Sequence, residues 1–271
     1  MRSARTLENM TKQRGKFPDV LLKVIKISDI ILEVLDARFI EETRNQKIEK
    51  LITDKGKKII YVLNKSDLID VKKLDKELLK EIYPYAFVSC ANRKGVKELR
   101  NRIKIESQKV ETIDDYGRIQ VGVIGYPNSG KSSVINLLKG KSSARTGSEA
   151  GFTKGIQKLK LTDGILLLDS PGVIPSEKYS QENQDMMSQH AKINARDYNK
   201  VKNPEVVVSA ILKEYPTQIE KFYSIKPDGD SEFLIEELGK KLNFLSKGGV
   251  VDTDRTARKI LRDWQEGKIR V

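Results

Sequence analysis

Hydrophobic positions along the chain follow two patterns. The first is the short continuous run. Residues 30–35 are apolar except at Glu33, and 59–63, 85–88, Ile119–Ile124 and 165–168 read the same way. Such runs, bounded by polar clusters, predict strands buried on both faces. Residues 156–161 alternate instead, like an edge strand, and Thr162-Asp163-Gly164 then predicts a hairpin turn. The second pattern is helical spacing. It appears at Phe17, Val20, Leu21, Val24 and Ile25, at Ile48, Leu51 and Ile52, and at Val71, Leu74, Leu78 and Ile82. It returns at Val96, Leu99 and Ile103, and at Val134, Ile135, Leu137 and Leu138. From Ser176 to Lys202 the chain is polar, and only helical patterns follow. Asn203-Pro204 is a helix start, ahead of an apolar face over 206–211. Further helices are predicted near 216–223 and 233–242, and a last one from 252–254 onward. Strands alternating with helices, then helices alone, predict an α/β domain at 1–178 and a linker with a helical domain at 179–271. The basic stretch 1–16 reads as an N-terminal arm.

Composition changes this picture in two ways. The net charge is +13 at pH 7, which favours a polyanionic partner, nucleic acid or an anionic membrane surface. No run approaches the length of a membrane span, and the N-terminus has no apolar segment that would make it a secretory signal. Cys90 is the one cysteine, which excludes an internal disulfide and suits a reducing cytosol. His190 is the one histidine and has no cysteine or second histidine near it to complete a metal site.

The strand ends carry the chemistry. After 119–124 comes Gly125-Tyr126-Pro127-Asn128-Ser129-Gly130-Lys131-Ser132, then the helical pattern. G-x-x-x-x-G-K-S between a strand and a helix is a phosphate-binding loop. Its backbone N–H groups and the helix N-terminus face a phosphate chain, Lys131 reaches the β- and γ-phosphates, and the Ser132 hydroxyl suits Mg²⁺. After 59–63 comes Asn64-Lys65-Ser66-Asp67. N-K-x-D at a strand end reads guanine: the Asp67 carboxylate accepts from the ring N–H and the exocyclic amine, a donor pair that adenine lacks. Asn64 buttresses the loop and the Lys65 stem covers a ring face. After 85–88 comes Ser89-Cys90-Ala91, where GTPases usually have S-A-K. A backbone N–H toward guanine O6 and a loop-tightening serine survive that change. Cys90 reads as a small residue beside the base, with no histidine to activate it. Thr153, in Gly151-Phe152-Thr153-Lys154-Gly155, matches the switch I residue that holds Mg²⁺. Asp169-Ser170-Pro171-Gly172 is the D-x-P-G of switch II, with Asp169 on a Mg²⁺-bound water and the Gly172 N–H on the γ-phosphate.

All five GTPase elements are therefore present, with guanine recognition ahead of the phosphate loop. A compact α/β domain tolerates such a permutation because its termini lie near each other at the surface. The expected strand order is five, six, four, one, two, three, with five antiparallel to six. The motif order resembles the circularly permuted ribosome-assembly GTPases of the YlqF/RbgA type, and the likeness covers nearly the whole chain. Asp36-Ala37-Arg38 with Arg44-Asn45 resembles that family's D-A-R…R-N signature, with Phe39-Ile40 where a proline is often found. Lys247-Gly248-Gly249 through Lys268-Ile269 resembles its closing pattern.

The resemblance implies a circularly permuted P-loop GTPase with a mostly parallel six-stranded sheet, followed by a small all-α domain. It implies GTP hydrolysis to GDP in the cytoplasm, coupled to large-subunit assembly through rRNA, by a monomer with no membrane contact. Lys131, Thr153 and Gly172 are the expected catalytic residues. Asn64, Lys65, Asp67, Ser89, Cys90, Ala91, Asn128, Ser129, Gly130, Lys131, Ser132, Ser133, Thr153, Asp169 and Gly172 are the expected GTP/GDP contacts. Mg²⁺ falls to Ser132, Thr153 and, through water, Asp169. Asn128 resembles the asparagine of potassium-activated GTPases and is a candidate K⁺ ligand. Val173 stands where signalling GTPases carry a water-positioning glutamine, so hydrolysis should be slow until a partner or an ion such as K⁺ completes the site. Some bacterial relatives carry a histidine with a proposed catalytic role in the N-terminal segment, and this chain has none there. The alternative from another class is an RNA-binding module whose guanine-nucleotide site is mainly structural or regulatory.

Overall fold

The computed structural model describes residues 19–111, 117–140, 157–169, 192–193 and 197–270. The arm 1–16, Thr153, Gly172, Val173 and His190 lie outside the described residues. The chain divides into two units between Pro175 and Ser176.

The first unit is one twisted sheet of six strands: β1 (Ile30–Asp36), β2 (Lys58–Asn64), β3 (Tyr85–Phe87), β4 (Ile119–Ile124), β5 (Gln157–Thr162) and β6 (Ile165–Asp169). Their spatial order is β3-β2-β1-β4-β6-β5. Every neighbouring pair is parallel except β5 with β6. This is the expected order. Helices cover both faces: α1 (residues 19–27), α2 (Ile40–Thr43), α3 (Gln46–Asp54), α4 (Lys76–Glu81), α5 (Val96–Ser107) and α6 (Lys131–Lys139).

The period-two alternation of β1 sorts its side chains between the two layers. Ile30, Leu32 and Val34 pack with Leu99 and Ile103 of α5 and with Val134, Ile135 and Leu138 of α6. Ile31 packs on the other face with Leu21, Val24 and Ile25 of α1 and Ile52 of α3. Gly122 in β4 makes the second contact close enough. A Cβ there would meet Ser28 Oγ at 2.4 Å and Val24 Cγ1 at 2.9 Å.

The polar interruption in the β1 run, Glu33, is buried, and the Asn45 N–H donates to it at 3.2 Å. Burial, then the nearby Glu49 carboxylate, pushes its pKa well above the ordinary value. Glu49 is held by both arms of Arg44, at 3.0 and 2.7 Å, and by the Tyr61 hydroxyl at 2.9 Å. The helix expected over Val71–Ile82 is instead two pieces. A 3₁₀ turn covers Val71–Lys73, Leu74 is extended, and Asp75 caps α4 by accepting from Glu77 N at 2.8 Å. Two aspartates competing for backbone N–H groups explain the break.

The second unit is helical: α7 (Pro204–Glu214), α8 (Pro216–Tyr223), α9 (Ser231–Lys241) and α10 (Thr253–Gln265). Asp230 and Asp252 cap α9 and α10. Ala257, Ile260, Leu261 and Trp264 of α10 are fully buried where it packs against α7 and α9, whose Val208, Ile211, Leu234 and Ile235 are buried too. The Trp264 indole N–H donates to the Lys192 carbonyl at 3.0 Å. Asp263, also fully buried, accepts from the Tyr223 hydroxyl at 3.0 Å, from Lys268 at 3.0 Å and from Lys259. No helix among the described residues is long and apolar enough to cross a membrane.

Trp264→Ala removes the largest buried side chain of this unit together with its indole hydrogen bond. A loss of about 3–5 kcal/mol of unfolding free energy is expected, read as a lower midpoint in urea by circular dichroism.

Candidate nucleotide-binding site

The carboxyl ends of the parallel strands converge on one edge of the sheet. Order reverses between β1 and β4, the place where open α/β sheets bind ligands. Asp36 ends β1, Asn64 ends β2, Gly125 follows β4 and Asp169 ends β6.

Between β4 and α6 the chain turns through positive φ at Gly125 (143°), Asn128 (58°) and Gly130 (99°). The first and last must be glycine. A Cβ on Gly125 would lie 2.4 Å from the Val34 carbonyl, and one on Gly130 would lie 2.2 Å from Asn64 Nδ2. Asparagine is among the few larger residues that tolerate the left-handed region, which fits Asn128. Gly130 is the N-cap of α6 and offers no side chain to its first N–H groups. They are left for an anion. Ser133 lies in the first turn of α6, half-buried. The Ser129 hydroxyl oxygen is buried and has no partner among the described residues.

Lys131 is buried, its ammonium donating to the Tyr126 carbonyl at 2.7 Å. Burial lowers its pKa to about 8, against the opposing pull of Asp169. Ser132 Oγ donates to Asp169 Oδ2 at 3.3 Å, so a hydroxyl and a carboxylate from two elements share one spot. These are the hard oxygen ligands that suit Mg²⁺. Among the described residues no cluster of three or more His, Cys, Asp or Glu could hold a metal.

The base-recognition residues meet the phosphate loop through one side chain. Asn64 Nδ2 donates to the Ser129 carbonyl at 2.8 Å, and Asn64 Oδ1 accepts from the Cys90 N–H at 3.4 Å. Asp67 sits in a 3₁₀ turn, Ser66–Leu68, with its Oδ1 buried and without a partner among the described residues. A buried carboxylate oxygen left in this way is the acceptor a guanine edge would fill. Ser89 Oγ accepts from Asn92 N at 3.0 Å and tightens the loop that carries Cys90 and Ala91. Burial, then the Asp67 carboxylate, pushes the Cys90 thiol up to about 12, so it stays protonated and unreactive at neutral pH. Lys65, in the left-handed region at φ 62°, donates to Asp36 Oδ2 at 2.6 Å.

The structure thus brings together Asn64, Lys65, Asp67, Ser89, Cys90, Ala91 and the loop Asn128–Ser133, with Asp169 beside Ser132. Thr153 and Gly172 are expected contacts outside the described residues. Two participants carried no assigned role in the sequence reading, Asp36 and Arg38. An aspartate closing a buried strand, with arginine two residues on, was the available signal.

A family model described as "50S ribosome-binding GTPase" matches residues 120–230. GNP-bound YlqF from T. maritima superposes with a TM-score of 0.67 and 23% identity, over 94% of this chain and 95% of that one. The likeness shows that the two chains share one fold. The expected guanine motifs of this chain, Asn64–Asp67 and Ser89–Ala91, lie ahead of the stretch that the family model matches. An uncharacterized GTP-binding protein of Methanocaldococcus jannaschii is 39% identical over 254 residues, 92% of this chain and 65% of that protein. Nucleolar GTP-binding protein 2 of Neurospora crassa is 35% identical over 257 residues, 92% of this chain and 40% of that protein. The chain therefore spans less than two thirds of either relative.

A nucleotide phosphate beside Lys131 would restore the proton that burial disfavours, so binding takes up a proton once pH exceeds the free-state value. Affinity for GDP is expected to hold below about pH 8 and then to fall by up to about tenfold per pH unit. Titration calorimetry from pH 7 to 9.5 measures this, and Lys131→Met should flatten the slope.

Proposed function

We propose that this chain binds GTP and hydrolyses it to GDP as a step in assembly of the large ribosomal subunit. One observation carries the reading: Asn64 ties a guanine-reading loop to a phosphate loop, with the Asp67 acceptor open beside it. Asp67 would select guanine. Lys131 and the N–H groups at the start of α6 would hold the phosphates. Ser132 and Asp169 would hold Mg²⁺, with Thr153 joining them, and Asn128 is the candidate ligand for K⁺. Mg²⁺ supplies charge neutralisation between the phosphates when bound. The N–H of Gly172 would bond the γ-phosphate. Val173 cannot orient water by hydrogen bonding, so the rate should be low until a partner completes the site.

The family model's description and the nucleolar relative support a ribosomal precursor as that partner. Residues 1–178 would be the nucleotide-binding domain and 179–271 the rRNA-contacting one, in a cytoplasmic monomer. The cations on the outer side of α10 are already engaged. Arg258 pairs with Asp254 at 2.7 Å, Arg262 with Glu266 at 2.7 Å, and Arg255 stacks over Phe244 at 4.1 Å. Helix-surface pairs of this kind contribute only about 0.3–0.5 kcal/mol. RNA phosphates can displace them at little cost, and the net charge favours that exchange.

Two outcomes are expected. Asp67→Asn should weaken GTP binding roughly 10- to 100-fold and admit xanthosine nucleotides; unchanged GTP binding would remove the base assignment. In co-sedimentation with ribosomal subunits, the chain should follow the large subunit when a non-hydrolysable GTP analogue is present and leave it with GDP. Equal binding in both states, or to both subunits, would leave the RNA-binding reading with a structural nucleotide site.

A further inference from the structure

The Lys65 ammonium is held by a cluster, Asp36 with Arg38, that the nucleotide-site assignment does not use. Asp36 is 1% exposed and its carboxylate has four donors. The Lys65 ammonium reaches Oδ2 at 2.6 Å. The Arg38 guanidinium takes both oxygens, at 3.0 and 2.8 Å, and the Arg38 backbone N–H donates at 3.1 Å. Burial opposes ionisation of Asp36, but the Lys65 and Arg38 cations outweigh it and hold the carboxyl well below the usual range. Asp36 cannot shift readily. It pairs with Asn64 in the parallel β1–β2 register, and the Ala37 N–H donates to the Asn64 carbonyl at 2.8 Å.

With its charge neutralised and its tip pinned, Lys65 offers an apolar methylene stem beside Asp67. We propose that Asp36, braced by Arg38, is a positioning residue for the base: it fixes the Lys65 stem as a wall against one face of the guanine ring. A free lysine stem would lose rotamer freedom when the base arrives, whereas here that ordering is complete before binding. This rests on the guanine-site reading proposed above. It adds a residue at the end of β1 to base recognition and leaves the phosphates untouched, so GTP and GDP should be affected alike.

The test is a double-mutant cycle on the full chain, with GTP and GDP affinities measured for wild type, Asp36→Asn, Lys65→Met and the double variant. Methionine keeps an unbranched apolar stem and removes the ammonium that Asp36 holds. Asp36→Asn should weaken both nucleotides roughly tenfold, and the double variant should bind as Lys65→Met does, because Asp36 acts through Lys65 alone. A purely structural role for Asp36 would make the two losses multiply, and that result overturns the proposal, as does wild-type affinity in Asp36→Asn. If Asp36→Asn alone fails to fold, the comparison of Lys65→Met with the double variant carries the test. An unfolded double variant would assign Asp36 to the fold through Arg38 and also overturn it. Absent GTP binding in wild type, or unaltered binding in Asp67→Asn, would instead strike the guanine reading itself.

Discussion

The Asn64 side chain is the contact on which the nucleotide site depends. Its amide nitrogen holds the Ser129 carbonyl of the phosphate loop, and its oxygen holds the Cys90 N–H of the base loop. Asn64 is 2% exposed, so neither group can turn to water instead. Loss of the amide would leave the buried Ser129 carbonyl unpaired, a cost of about 1–3 kcal/mol, and would release the part-buried Cys90 N–H. The contact also explains Gly130, since a Cβ there would displace the amide. The base-reading half is built first and the phosphate-binding half follows, and Asn64 sets one against the other.

Burial does the rest of the chemistry at this edge of the sheet. It lowers the pKa of Lys131 to about 8 and raises that of the Cys90 thiol to about 12. The first change leaves a lysine that gains from meeting a phosphate. The second removes a nucleophile that would serve no purpose beside a base. Both follow from burial, which disfavours the charged form of each group, and a group that stays charged there must find a partner. Asp36 with Arg38 and Lys65, and Asp169 with Ser132, are the solutions found here.

The helical unit meets the same constraint differently. Asp263 lies fully buried in its core and collects Tyr223, Lys259 and Lys268 around it. Part of the basic character of α10 thereby serves its own fold, and the Arg258 and Arg262 guanidinium groups are paired within the helix. A charge count over the sequence overstates what the outer face of α10 offers a polyanion.

Much of the sheet was legible in the sequence because parallel strands buried on both faces are continuous apolar runs, and the motif order set their arrangement. The motifs were legible because phosphate and guanine recognition need particular residue types at fixed spacing. Periodicity failed at Val71–Ile82, where Asp70 and Asp75 capture backbone N–H groups and split one amphipathic pattern in two. It could not assign the Glu33–Glu49–Arg44 network, since a glutamate inside an apolar run gives no hint of its partner. Nor could it show that Lys65 turns to Asp36, a contact across 29 positions made only by the parallel register of β1 and β2. Local patterns are written in residues close along the chain. Which buried charge meets which is decided when the sheet forms, because partners are then chosen by distance in space.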